Sequence, residues 1–118
     1  ATMICAKLAD INVFATGGIG GVHKNVSETM DISADLNELS KTNVSVVAAG
    51  PKAILDIPKT LEVLETLGIP VISYQNEQIP AFWSRESGYK ASIQINQLHE
   101  VALSILARFK LLCHLILQ

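Results

Sequence analysis

Cysteine is scarce: two residues, Cys5 and Cys113, stand at opposite ends of a 118-residue chain. That usage fits reduced thiols in an intracellular, cytoplasmic protein better than a disulfide framework, each cysteine expected as a small buried hydrophobe. Positive charge is not in excess either. Nine Lys and Arg stand against eleven Asp and Glu, a formal net charge of −2, which leaves no basis for a nucleic-acid partner. Long hydrophobic runs are missing: the longest, around Leu111 to Leu117, is interrupted by His114 and is too short to span a membrane, so no membrane partner is expected. There is no internal repeat and no low-complexity segment. The chain opens on Ala1 with no basic-then-apolar leader in view, so targeting is not read from it. Asn25-Val26-Ser27 and Asn43-Val44-Ser45 match the glycosylation triplet, but the second enters an apolar strand and neither is expected to carry a glycan.

What is present is apolar. At 49 % hydrophobic and 17 % charged residues, the chain is too core-rich for disorder and has the size of one ordinary domain. Thr2 to Ala9 has helical character, and Ile11 to Ala15 reads as a first strand. Val26 to Leu39 carries helical spacing, and Val44 to Ala49 is nearly continuously apolar and reads as a strand covered on both faces. A helix follows Gly50-Pro51-Lys52 and ends at Gly68, with Pro58 in its first turn as the preferred reading. Ile69 to Ser73 with Pro70 at its start, and Tyr89 to Ile95, read as third and fourth strands, and Asn96 to Leu117 as a last helix. Ile79 to Trp83 is an irregular apolar segment. Short buried strands alternating with helices predict an α/β fold with a mostly parallel sheet.

The chemistry-bearing residues gather after the first two strands. Val13 to Thr16 runs into Gly17, Gly18, Gly20 and Gly21, which lack both the order of a dinucleotide fingerprint and the lysine of a P-loop. Two readings stay open: backbone amides cradling a phosphate or sugar with help from Thr16, or tight turns demanded by packing. Asp31 and Asp35 are spaced to share one helix face, which suits either a hard divalent cation completed by water or substrate oxygens, or a capping arrangement with Ser33 near the helix start. Lys52 follows a strand at the end where open α/β sheets hold their ligands. It reads as a nucleophile or anion binder, or as a lysine in solvent at a loop tip; a nucleophile would need desolvation or nearby positive charge to lose its proton. His23, alone, carries little weight. Trp83, beside Phe82 and Arg85, either flanks a base or sugar or packs in a core or interface.

Taken together, Val13-Phe14-Ala15-Thr16-Gly17-Gly18-Ile19-Gly20-Gly21-Val22-His23, Thr29-Met30-Asp31-Ile32-Ser33-Ala34-Asp35-Leu36 and Val47-Ala48-Ala49-Gly50-Pro51-Lys52-Ala53-Ile54-Leu55-Asp56 closely resemble the pseudouridine-5′-phosphate glycosidase family. So do Leu61 to Ile72, Pro80-Ala81-Phe82 and Arg85-Glu86-Ser87-Gly88. The resemblance implies a three-layer α/β/α domain, present in part over residues 1–95, followed by a divergent helical segment over 96–118. It implies a homotrimer and a reversible hydrolase or lyase reaction that cleaves the carbon–carbon bond of pseudouridine 5′-phosphate to uracil and ribose 5-phosphate. By the same resemblance Lys52 would form an imine with the sugar, Asp31 would bind Mn²⁺ or another divalent metal, Ser33, Ala34 and Asp35 would contact substrate, and Thr16 would lie beside the phosphate. Lys24 stands where arginine is common in the family. Family members are longer, and their general-acid glutamate, phosphate-binding lysine and a late asparagine segment have no counterpart here. The chain alone is therefore expected to be inactive. The alternatives are a non-catalytic module for phospho-sugars or nucleotides, or part of a fusion with a sugar kinase.

Overall fold

A computed structural model describes residues 1–25 and 32–117, with side-chain surroundings through residue 109. Helix α1 (Thr2–Leu8) leads to strand β1 (Val13–Thr16), helix α2 (Ala34–Lys41), strand β2 (Ser45–Ala48), helix α3 (Ile57–Thr66), strands β3 (Ile72–Tyr74) and β4 (Ile93–Ile95), and helix α4 (Leu98–Leu117). Strands β1 and β2 pair in parallel with Val13 opposite Ser45 and Thr16 opposite Ala48, and β3 and β4 form a second parallel pair. The architecture is thus α/β, parallel strands flanked by helices, as a partial α/β/α domain. Among the described residues no helix is long and apolar enough to cross a membrane.

Helix boundaries follow local chemistry. Helix α3 is the best specified: the Asp56 carboxylate accepts the Lys59 N–H, Pro58 occupies the first turn, and Gly68 at φ +70° closes the helix while its N–H bonds Glu65 O. The placement of Pro58 in the first turn matches the sequence reading, because the ring there removes an amide that has no intrahelical partner anyway. Helix α2 is shorter than expected. Ile32 pairs with Val22 in an antiparallel bridge and Ser33 is extended, so the helix begins at Ala34 with Ser33 as its N-cap; positions 26–31 lie outside the described residues.

The third strand begins later than expected. The Ile69 N–H is spent on Leu64 O in closing α3, and Pro70 has no N–H, so a ladder can start only beyond them. The fourth expected strand changes partner along its length. Ile79 N–H bonds Tyr89 O and Ala91 N–H bonds Glu77 O in antiparallel fashion before residues 93–95 join β3 in parallel.

The buried centre is small: Val22, Leu36 and Leu64, with Leu39, Leu61, Val63, Ile69 and Val71 packed round them. It joins the end of the glycine loop to α2 and α3. Two burial expectations are overturned. Val47 on β2 is 57 % exposed, because Val13, Ala15 and Val47 share one sheet face by alternation and register and no described element covers it. Cys5 is exposed, since α1 buries Met3 and Ala6 instead; the surroundings of Cys113 lie outside the described side chains.

Candidate active site

The parallel register of β1 and β2 sets Gly17 and Ala49 side by side at the carboxyl ends of two adjacent strands, where Ala49 N–H bonds Gly17 O (3.0 Å). From there the glycine loop and the lysine loop run on together. Ile19 N–H donates to Gly50 O (3.3 Å), Lys52 N–H returns to Ile19 O (3.4 Å), and Ile19 bridges Pro51 in parallel. Lys52 is thereby anchored through its backbone while its side chain is exposed.

The N-terminus of α2 meets the same loop from another side. Gly20 N–H donates to Asp35 Oδ2 (3.0 Å), Ser33 N–H donates to Gly21 O (2.9 Å), and Asp35 N–H is capped by Ser33 Oγ (3.2 Å). Ser33 is half-buried, whereas Ala34 and Asp35 are exposed. Thr16, at the end of β1, and Asp35 line one cleft of about 190 Å³ with Gly18 and Ile19. The structure therefore brings Thr16, Ser33, Asp35 and the Lys52 backbone to one glycine loop. Asp31 lies outside the described residues.

None of Gly17, Gly18, Gly20 and Gly21 has the left-handed backbone, so close approach is what requires glycine there. A Cβ on Gly18 would lie 2.7 Å from the Phe82 ring and one on Gly21 2.6 Å from Thr60 Oγ1, while one on Gly20 would overlap Ser33. Packing thus accounts for these glycines on the side facing the protein.

Two residues to which the sequence reading assigned no role hold this arrangement. Thr60 is fully buried on α3; its Oγ accepts the Val22 N–H (3.0 Å) and donates to Asp56 O (2.7 Å), while Asp56 N–H bonds Val22 O. Its signal was available, since Ile57, Thr60 and Leu64 follow the helical spacing of a buried stripe in which a threonine is the odd member. Phe82 has φ +60° and lays its ring against Gly17 and Gly18; nothing in an isolated Pro-Ala-Phe-Trp signals that conformation.

The donors gathered at the loop are oxygens: the hydroxyls of Thr16 and Ser33 and the carboxylate of Asp35, one of whose oxygens is used by Gly20. Oxygen donors suit a hard divalent cation, although no group of three His, Cys, Asp or Glu comes together among the described residues.

Comparison with known proteins gives a consistent picture. The family profile described as "Indigoidine synthase A like protein" matches residues 1–115. The pseudouridine-5′-phosphate glycosidase of Jannaschia sp. (strain CCS1) is 63 % identical over 111 residues, which cover 94 % of this chain and 37 % of that protein. The enzyme of the same name from Paracoccus denitrificans is 61 % identical, over 94 % of this chain and 36 % of its own length. Among solved structures, the prealnumycin C-glycosynthase AlnA in complex with ribulose 5-phosphate superposes with a TM-score of 0.88 at 41 % identity, over 92 % of this chain and 36 % of that one. An indigoidine synthase A-like protein of Thermotoga maritima gives 0.86 at 36 % identity, over 94 % of this chain and 37 % of its own. The chain spans little more than a third of the length of the curated relatives it matches. With a family profile covering nearly all of it and close relatives of one description, this chain belongs to the pseudouridine-5′-phosphate glycosidase family.

Proposed function

We propose that this chain contributes the lysine and glycine loops of an enzyme that cleaves the carbon–carbon bond of pseudouridine 5′-phosphate, releasing uracil and ribose 5-phosphate. The observation that carries the reading is the backbone pairing of the Lys52 loop with the glycine loop at the carboxyl ends of adjacent parallel strands, the position where α/β folds hold their ligands. The sugar-phosphate class is supported by the relatives' name and by the ribulose 5-phosphate bound to the superposed AlnA.

A lysine suits the reaction because a carbon-linked base has no glycosidic nitrogen to leave on protonation. The neutral Lys52 amine forms a bond to the anomeric carbon as the bond from that carbon to the ring oxygen breaks; the ammonium nitrogen so formed gives up a proton, which the ring oxygen takes, and so regains its lone pair. Protonation of the uracil carbon that bears the sugar then lets the carbon–carbon bond break. The lysine nitrogen lone pair becomes the second bond of an imine to the anomeric carbon. Addition of water to that imine returns free Lys52 and ribose 5-phosphate. Thr16 and the adjacent glycines would lie beside the phosphate, and Ser33, Ala34 and Asp35 would contact the rest of the sugar. Mn²⁺ or a similar cation would be held by Asp31, four residues before Asp35 in the sequence, and when bound would supply a Lewis acid and an acidified water. The desolvation Lys52 needs would come from bound substrate and from parts of the family fold beyond this chain. A homotrimer of the whole protein belongs to the same proposal.

The exposure of Lys52 favours a second reading, a sugar-phosphate-binding portion without catalysis. The experiment that decides is intact-mass spectrometry after incubation with ribose 5-phosphate, Mn²⁺ and a borohydride reductant. It is run on the 118-residue chain and on a chimera in which this sequence replaces the matching 111 residues of the Jannaschia relative. A reduced sugar-phosphate adduct on the chimera that disappears in Lys52→Ala is the expected result. A folded chimera that binds ribose 5-phosphate but forms no adduct would leave the binding reading in place and overturn the imine.

A further inference from the structure

We propose that Phe82 is a positioning residue, whose left-handed backbone drives its ring against Gly17 and Gly18 and so locks the glycine loop in register with the lysine loop. The clamp stands on the contacts of Phe82 alone; its catalytic consequence rests on the reading of Lys52 given above.

Phe82 has φ +60°, a region that costs a bulky L-residue energy and persists only where the surroundings impose it. Among the described non-glycine residues the other two with positive φ, Asp10 and Gln75, are small or flexible polar side chains; Phe82 is the aromatic one. The turn is tight. Trp83 N–H bonds Ala81 O (2.7 Å) across it and Ala81 N–H bonds Ser84 O (2.8 Å). A two-residue hydrogen bond around a centre with positive φ is the pattern of the rare, strained γ-turn.

What imposes the conformation lies on the two loops of the site. Phe82 N–H donates to Ala49 O (2.9 Å), the last carbonyl before Gly50-Pro51-Lys52. The same residue's ring lies 3.2 Å from the place of a Cβ on Gly17 and 2.7 Å from that of one on Gly18. One residue therefore holds the lysine loop by its amide and the glycine loop by its side chain. Pro80 adds to the clamp, since its carbonyl occupies the space a Cβ on Gly50 would need. Trp83 packs edge-to-face with Phe82, ring centres 4.8 Å apart and planes at 77°, and is itself 86 % exposed. An ordinary β or helical conformation at position 82 would move the ring, the amide or both off their partners. The strain is thus the geometric condition for touching both loops at once.

The test separates the ring from the backbone. Phe82→Gly removes the ring and relieves the backbone, and Phe82→Tyr keeps both ring and strain. In amide hydrogen exchange on the full chain and on the chimera, Phe82→Gly is expected to speed exchange at Ile19 and Ala49, the amides that tie the loops, by about tenfold, with Leu64 in α3 unchanged and Phe82→Tyr like the parent. In the chimera the maximal rate of reductive adduct formation should fall about tenfold in Phe82→Gly at a nearly unchanged half-saturating ribose 5-phosphate concentration, with Phe82→Tyr restoring it. Parental exchange at Ile19 and Ala49 in Phe82→Gly would overturn the proposal, as would acceleration spread equally into α3. An absent adduct in the parent chimera would count against Lys52 and leave the exchange result to decide the clamp by itself.

Discussion

Gly50 shows how a single missing side chain can be required for two different reasons. Its φ of +100° lies where an L-residue is strained, and a Cβ there would overlap the Pro80 carbonyl. Gly68 separates the two reasons, because its φ is +70° but a Cβ would meet nothing within 4 Å. Gly68→Ala should therefore lose about 1 kcal/mol, the cost of the conformation alone. Gly50→Ala should lose at least about 2 kcal/mol more, because the backbone of the Pro80 segment must move. Urea unfolding midpoints of the two variants measure the difference. Equal losses would show that the Pro80 segment yields freely, and with it the account of how the lysine loop is held. Gly50 was visible in the sequence as a break after an apolar strand. The neighbour that makes it irreplaceable is thirty residues away along the chain and has no local signature.

Between elements, the join of α3 to the glycine loop depends on one hydroxyl. Thr60 Oγ accepts from Val22 and donates to Asp56 O in a fully buried place, so Thr60→Val, equal in shape, strands the Val22 N–H without a partner. A loss of about 1–3 kcal/mol is expected. Thr60→Ser keeps the hydroxyl and should lose less, about 1 kcal/mol for a buried methyl. Thermal or urea denaturation of both variants checks the order; a valine variant as stable as the serine one would show that the hydroxyl does not hold the loop. Helix α3 was also the element most readable from sequence, because Asp56, Pro58 and Gly68 are local signals acting within a few residues. The start of α2 at Ala34 was not readable, since Ile32 is taken by a bridge to Val22 that helical periodicity does not encode. The split partnership of residues 89–95 was hidden for the same reason: its first half pairs with 77–79 and its second with β3, and neither partner is marked in the segment. At the candidate site, Thr16, Ser33, Asp35 and Lys52 stand out in the sequence by motif and by family resemblance. The contacts that place them, from Thr60 and Phe82, are long-range.

For the whole molecule, the bare sheet face carries a prediction of its own. Val13, Ala15 and Val47 stand on one side of a two-stranded parallel sheet whose strands have no other named strand as neighbour among the described residues. Parallel sheets are covered on both faces in complete domains, and a two-stranded one is marginal in water. The chain spans little more than a third of its relatives' length, so the remaining two-thirds of the family fold is the natural cover for this face. Val47→Lys distinguishes that cover from ordinary surface by acting in opposite directions in two contexts. In the 118-residue chain the charge should interrupt an exposed apolar face, and concentration-dependent association in sedimentation velocity should fall. In the chimera the same lysine would be buried against the added segments, and stability should drop by at least about 2 kcal/mol. A chimera that tolerates the lysine would show that the face stays open in the longer protein. The nearly continuous apolar pattern of residues 44–49, which pointed to burial on both sides, would then need another partner to explain it.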